Sequence, residues 1–230
     1  MRQVAVEATA GRRLGAEFLG AMMLSGAVIG SGIMAARLAG GNDAIALLAN
    51  TAATAAILYV LVAALGPISG AHLNPAVTLV MALRREIGAG LALLYTLAQA
   101  GGCVAGALIA HAMFELPLLQ VAEQARSGAA QVLSEGVAAF ALVAAILLVS
   151  RVRPAAVPAA VALTIAAGYW WTASTSFANP AITIARALSD TFAGIRPEDA
   201  PAFIVAQLGG AVLAMGVCGW LLRPSKVSAQ

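Results

Sequence analysis

Residues 66–83 read GPISGAHLNPAVTLVMAL, and residues 172–188 read TASTSFANPAITIARAL. Each stretch begins polar and rich in Gly, Ser or Thr, then turns at Asn-Pro-Ala into a short apolar helical pattern. Aligned on their asparagines, NPAVTLVMAL (74–83) and NPAITIARAL (179–188) agree at six of ten positions. Asparagine is a preferred helix N-cap and proline is favoured at the first helical position. Asn74 and Asn179 therefore each start a helix, with Pro75-Ala76 and Pro180-Ala181 in its first turn. About ten residues at ~1.5 Å each give ~15 Å, half of the ~30 Å hydrocarbon core of a bilayer.

A bilayer is the right solvent to compare against. The 230 residues are 61% hydrophobic and only 10% charged, with a mean hydropathy of +0.91. A soluble domain carries about 25% charged residues, so a cytosolic enzyme, a disordered regulator and a secreted disulfide scaffold are excluded. Six apolar stretches are long enough to span: 13–35, 43–65, 87–113, 131–150, 155–171 and 201–222. Arg12-Arg13 before the first of them suits a retained first helix; a twin-arginine export signal is the weaker reading, because the flanking consensus is missing. With the N-terminus inside, the cytoplasmic segments hold nine basic residues, Arg2, Arg12, Arg13, Arg84, Arg85, Arg151, Arg153, Arg223 and Lys226. The outer segments hold four, Arg37, Arg126, Arg186 and Arg196. The positive-inside rule then places both termini in the cytoplasm of a multi-pass inner-membrane protein.

The context of the two Asn-Pro-Ala segments repeats as well. Glu17 and Glu135 sit early in the first and fourth spans, and Gln99 and Gln207 in the third and sixth. The order Glu, Asn-Pro-Ala, Gln occurs twice, dividing a single domain (1–230) into halves of about 10–125 and 126–225. Three spans separate the two Asn-Pro-Ala segments, so the second enters from the opposite side and the halves are inverted copies. The loops 66–73 and 172–178 carry irregular backbone at membrane depth, which survives only inside protein or beside water, so they are expected to line a cavity. Two helix N-termini meeting at mid-membrane bring about half a positive charge each. Each asparagine oxygen caps its own helix, leaving its NH₂ donors for the lumen. Such a spot repels cations, interrupts a proton wire and passes a small neutral molecule.

The sequence resembles the aquaporin and aquaglyceroporin family of major intrinsic proteins. The resemblance rests on AEFLG (16–20), SGAHLNPAVT (69–78), AQAGG (98–102), NPA (179–181) and AQLGG (206–210), and runs along essentially the whole chain. It implies an all-α membrane fold of six tilted helices plus two re-entrant half-helices, assembled as a homotetramer with one pore per subunit. It also implies a selectivity filter near Thr54, Ala167, Ser176 and Ile182. The family usually has arginine where Ile182 stands, and water-selective members have aromatic and histidine side chains at the first two positions. The filter implied here is wide, neutral and partly apolar. Arg186, one helical turn beyond Ile182, either carries the charge to the outer mouth or faces solvent or Asp190. The stretch 172–197 also resembles a bacterial subgroup associated with arsenic-resistance operons, whose members conduct uncharged arsenicals. The implied substrates are water, glycerol-like polyols and trivalent or methylated arsenicals.

Several residues have ordinary readings beside functional ones. Glu17 and Glu135 could relay protons; their symmetric placement favours acceptance of N–H groups from the re-entrant loops, with Gln99 and Gln207 as further support. His72 could gate by pH; a fixed loop residue by the inner vestibule is the simpler reading, and His111 reads as interfacial. Trp170, Trp171 and Trp220 suit an aromatic belt. The pairs Gly26/Gly30 and Gly102/Gly106 suit close helix crossings. Cys103 and Cys218 read as inert buried thiols. No nucleophile–base pair, phosphate loop, metal spacing or basic nucleic-acid patch appears, so the chain is expected to be no enzyme and to need no cofactor. An ion-coupled secondary transporter is the alternative function, since broken helices and inverted repeats build those too; a purely structural membrane protein is the third.

Overall fold

The computed structural model describes residues 8–223. Arg2 and Lys226, both used in the charge count, lie outside the described residues. The described residues form eight α-helices: α1 (Ala10–Leu38), α2 (Asp43–Ser69), α3 (Pro75–Leu83), α4 (Ala89–Met113), α5 (Ala129–Val152), α6 (Val157–Trp171), α7 (Pro180–Ala187) and α8 (Ala200–Leu221). A 3₁₀ turn at Pro154–Ala156 leads into α6. Six segments are long and apolar enough to span a membrane. α3 and α7, with 9 and 8 residues, are not.

Helix ends follow local chemistry. Thr9 accepts from Arg12 N, so α1 starts a turn earlier than its apolar stretch. The Asn42 side chain accepts from Ala44 N and Ile45 N at 3.1 Å and starts α2. α2 also runs further than its apolar stretch, through Pro67 to Ser69, and stops at Gly70 with φ +90°. Pro67 removes one donor, but it lies in the last turn, so a single carbonyl is lost rather than a helix. The fifth span is shortened at its start by Pro154 and Pro158, which fix φ without needing an N–H.

The helices pair in a matched way. α1 packs most extensively on α4, and α5 on α8. α3 lies on α4 and α8, while α7 lies on α8 and α4. The long pairs cross closely because glycine removes the side chain at the contact. A Cβ on Gly106 would lie 2.2 Å from the Met22 carbonyl, and one on Gly102 would lie 2.3 Å from the Phe18 carbonyl. The matching contact in the second half is Gly210, whose Cβ would lie 2.1 Å from the Gly136 carbonyl. Gly26 faces Gly106 across the first crossing. Outward, the bundle shows Leu93, Leu97, Leu163 and Leu213 on its exposed face, along with Trp170, Trp171 and Trp220. An apolar exterior of this kind suits lipid.

The tight crossings predict an ordered stability series. Gly106→Ala and Gly210→Ala should each cost about 1–3 kcal/mol through overpacking, read as a lower thermal midpoint in detergent. Gly209→Ala, where an added Cβ meets nothing within 4 Å, should leave the midpoint unchanged or higher. Equal midpoints for all three would contradict this packing.

Candidate functional site

The site is built from the two non-helical segments and the helices that hold them. Asn74 Oδ1 accepts from Ala76 N at 2.8 Å and so caps α3. Asn179 Oδ1 accepts from Ala181 N at 3.0 Å and from Ile182 N at 3.3 Å and caps α7. The carboxamide nitrogens then cross. Asn74 Nδ2 donates to the Ala178 carbonyl at 2.7 Å, and Asn179 Nδ2 donates to the Leu73 carbonyl at 2.8 Å. The two N-termini therefore abut. One N–H of each amide is used to tie the opposite loop, where both were expected in the lumen; the second is left for the cavity that both asparagines line.

The loops carry backbone that most residues avoid. Ala71, Leu73, Thr175, Ser176 and Ala178 all have φ between 47° and 62°, a left-handed conformation costing of order 1–2 kcal/mol per residue. Buried carboxylates hold it in place. Glu17 Oε1 accepts from His72 N at 3.0 Å and from Ser69 Oγ at 2.6 Å; its Oε2 accepts from Leu73 N at 2.7 Å and Gln99 Nε2 at 2.8 Å. Glu135 repeats the pattern with Phe177 N and Ala178 N at 2.9 Å and Gln207 Nε2 at 2.6 Å. Both glutamines also donate, at 2.9 Å, to a hydroxyl on a half-helix, Gln99 to Thr78 and Gln207 to Thr183. Neither carboxylate is exposed, and neither lines the cavity.

The cavity has a volume of about 290 Å³. Its wall is a set of i, i+4 stripes: Leu24 and Val28 on α1, Thr54, Leu58 and Val62 on α2, and Leu142, Ile146 and Ser150 on α5. On α6 the stripe is Val157, Val161, Ile165 and Tyr169. Twelve residues of helix are ~18 Å, so the space follows α6 from its first turn to its last. The re-entrant segments close the wall with His72, Asn74, Ser176, Asn179 and Ile182, and Glu86 and Arg186 line it too. Most of the wall is apolar, as a small-molecule site usually is.

Of the expected filter residues, Thr54, Ser176 and Ile182 line the cavity and Ala167 does not. Ala167 is exposed on the outer face of α6. Two residues past Ile165 is about 200° around a helix, so the side chain points away, and Tyr169, one turn past Ile165, faces in instead. Tyr169 OH lies 3.2 Å from Thr54 Oγ1. Gly168 lets the loop approach α6, since a Cβ there would meet Ser176 Oγ at 2.5 Å. Ile182 leaves its own position uncharged, but the cation sits one turn beyond it. Arg186 is 3% exposed and its guanidinium carbon is 3.3 Å from the centre of the Phe177 ring. Its Nε donates to the Ala193 carbonyl. It pairs with neither solvent nor Asp190, whose Oδ1 accepts from Glu123 N.

His72 lines the cavity, with Nδ1 3.1 Å from Thr78 Oγ1 and its ring edge-on to Tyr95. Tyr95 is a support the sequence did not announce: its hydroxyl accepts from Arg13 Nε and donates to the Ser69 carbonyl, both at 2.8 Å. His111 is fully buried rather than interfacial. Its Nδ1 donates to the Leu118 carbonyl at 2.8 Å, and Nε2 lies 2.9 Å from Ser189 Oγ. Cys103 and Cys218 are free and buried. Among the described residues no group of three His, Cys, Asp or Glu converges as a metal site would.

The sequence matches the major intrinsic protein family model over residues 5–154 and 149–229. It is 54% identical over 215 residues to the aquaglyceroporin AqpS of Rhizobium meliloti (strain 1021), covering 94% of this chain and 92% of that protein. A shorter match, 49% identical over 57 residues and 25% of this chain, is to the probable aquaporin PIP2-8 of Oryza sativa subsp. japonica, 20% of which it covers. The fold is shared with the X-ray structure of the aquaglyceroporin from Plasmodium falciparum, at a TM-score of 0.65 and 19% identity, covering 92% of this chain and 95% of that one.

The carboxylate supports make a local prediction. In Glu135→Gln, an amide NH₂ must face a loop N–H, and each orphaned donor costs about 1–3 kcal/mol. Hydrogen exchange should speed up in residues 172–179 and not in 66–74; Glu17→Gln should give the converse. Unchanged exchange in both variants would remove the carboxylates from this role.

Proposed function

This chain belongs to the major intrinsic protein family, and on that premise we propose that it is a passive transmembrane channel for small uncharged solutes. The carrying observation is the cavity that runs beside both asparagine carboxamides along about 18 Å of α6. Water, glycerol-like polyols and neutral trivalent or methylated arsenicals fit a wall that is mostly apolar with few polar groups. Thr54, Ser176 and Ile182, joined by Tyr169, are the size-selecting residues, and Arg186 is the fixed cation of that mouth. Asn74 and Asn179, with Pro75, Ala76, Pro180 and Ala181, form the central constriction. Glu17, Glu135, Gln99 and Gln207 keep it in shape.

We read the halves 10–125 and 126–225 as inverted repeats. The crossed Asn74–Ala178 and Asn179–Leu73 bonds and the matched carboxylates support this. The charge count favours cytoplasmic termini in a bacterial inner membrane, and the family resemblance favours a homotetramer. The ion-coupled alternative is weaker, because the two intramembrane carboxylates are engaged by the loops and turned away from the cavity.

Two experiments test this reading. In liposomes holding the purified protein, glycerol and water flux should follow the solute gradient alone, with proton and sodium gradients collapsed. Dependence on either ion gradient would establish the coupled transporter, and unchanged permeability would leave only a structural role. Separately, Ile182→Arg should slow glycerol severalfold more than water, by narrowing the mouth beside Tyr169; an unchanged glycerol-to-water ratio would misplace the filter.

A further inference from the structure

Arg186 presents a guanidinium that no carboxylate pairs with. A guanidinium has five donors; here Nε is taken by the Ala193 carbonyl, and the plane is fixed on the Phe177 ring. Among the described residues, Nη1 and Nη2 meet no acceptor, although the side chain is 3% exposed and lines the cavity. The ion pairs among the described residues are Arg84–Glu86 and Arg196–Asp199, so no carboxylate lies within pairing distance of Arg186.

A second cation shares the ring. Arg126 lies 5.1 Å from the Phe177 centroid, with Nε and Nη2 donating to the Gly194 and Phe192 carbonyls. The carboxylates of this region are occupied elsewhere: Glu135 by the 172–178 loop, Asp190 by Glu123 N, and Asp199 by Arg126 N and Arg196. Thr54 and Tyr169 line the same cavity and share one hydroxyl proton between them, which leaves the other free to donate. An unpaired guanidinium fork and a free hydroxyl donor, facing one cavity with no carboxylate in pairing distance of Arg186, make a site short of acceptors. A neutral polyol would meet the donors one hydroxyl at a time. The open fork of Arg186 matches two oxygens on one atom.

We propose that Arg186 and the Thr54–Tyr169 hydroxyls, with Arg126 on the same ring adding charge from outside the cavity wall, bind the two-oxygen acidic group of a small weak acid, such as a monocarboxylate. Its occupancy blocks this mouth to neutral solutes. The proposal rests on the channel reading only in taking the cavity as open at Arg186. Beyond the site the wall turns to Ile165, Ile182 and Leu58, so the anion stops there.

The test uses glycolate and its neutral analogue glycolamide on the purified full chain. Calorimetry in detergent should show saturable glycolate binding, none by glycolamide, and a loss of at least about tenfold in Arg186→Leu. Should the leucine variant not fold, Arg186→Lys keeps the charge, loses the fork, and is expected to weaken binding likewise. Arg37→Leu, exposed and outside the cavity wall, should bind as the parent does. In liposomes, glycolate but not glycolamide should slow glycerol flux through the parent protein. Absence of glycolate binding, equal binding in the Arg186 variants, or equal inhibition by glycolamide would overturn the proposal. Glycolate binding without any glycerol flux would instead count against the channel and leave the site standing.

Discussion

Non-helical backbone inside a bilayer must find its hydrogen bonds within the protein, and two carboxylates meet that demand here. Glu17 and Glu135 each accept from two successive loop N–H groups and from a glutamine across the bundle. Without those acceptors the loops would have unsatisfied donors and a string of left-handed residues with nothing to hold them. With them, each loop ends in an asparagine placed to cap a half-helix and reach across to the other loop. An intramembrane acid is costly; these two are satisfied by fixed dipoles rather than by ions.

The same arrangement sets the electrostatics of the conduit. Two helix N-termini abut, so their partial charges add rather than cancel. Each asparagine spends its oxygen on its own helix and one N–H on its neighbour, leaving a donor directed at whatever passes. Arg186 adds a full charge further along α7, about 10 Å from its capping residue. Along this line a cation meets one sign of field, while a neutral molecule with a lone pair meets donors. The apolar i, i+4 stripes of α1, α2, α5 and α6 provide the rest of the wall and offer little to compete with them.

Much of this was legible in the sequence. Apolar length located six spans, and Asn-Pro-Ala located both short helices and their caps. The paired Glu and Gln pointed to a repeated support. What escaped lay in rotation and in tertiary contact. Ala167 and Tyr169 differ by two positions, and composition cannot say which one faces inward; the register of α6 against the 172–178 loop, allowed by Gly168, decides it. The aim of Arg186 depended on Phe177 and on the Ala193 carbonyl, a loop contact with no sequence signature. Tyr95 belongs to no motif, and its support role rests on Arg13 and Ser69 closing around its hydroxyl. Gly136 and Gly210 form a crossing that no GxxxG spacing marks.

Two short helices that enter from opposite faces and meet at their caps beside an open path must differ in the side from which they are reached. Single cysteines at Met81 and Ser176, in a background lacking Cys103 and Cys218, test it with a small membrane-impermeant thiol reagent. Met81→Cys should label only from the face bearing Arg84 and Arg85, and Ser176→Cys only from the face bearing Arg196. Labelling of both from one face, or of neither from any, would contradict it.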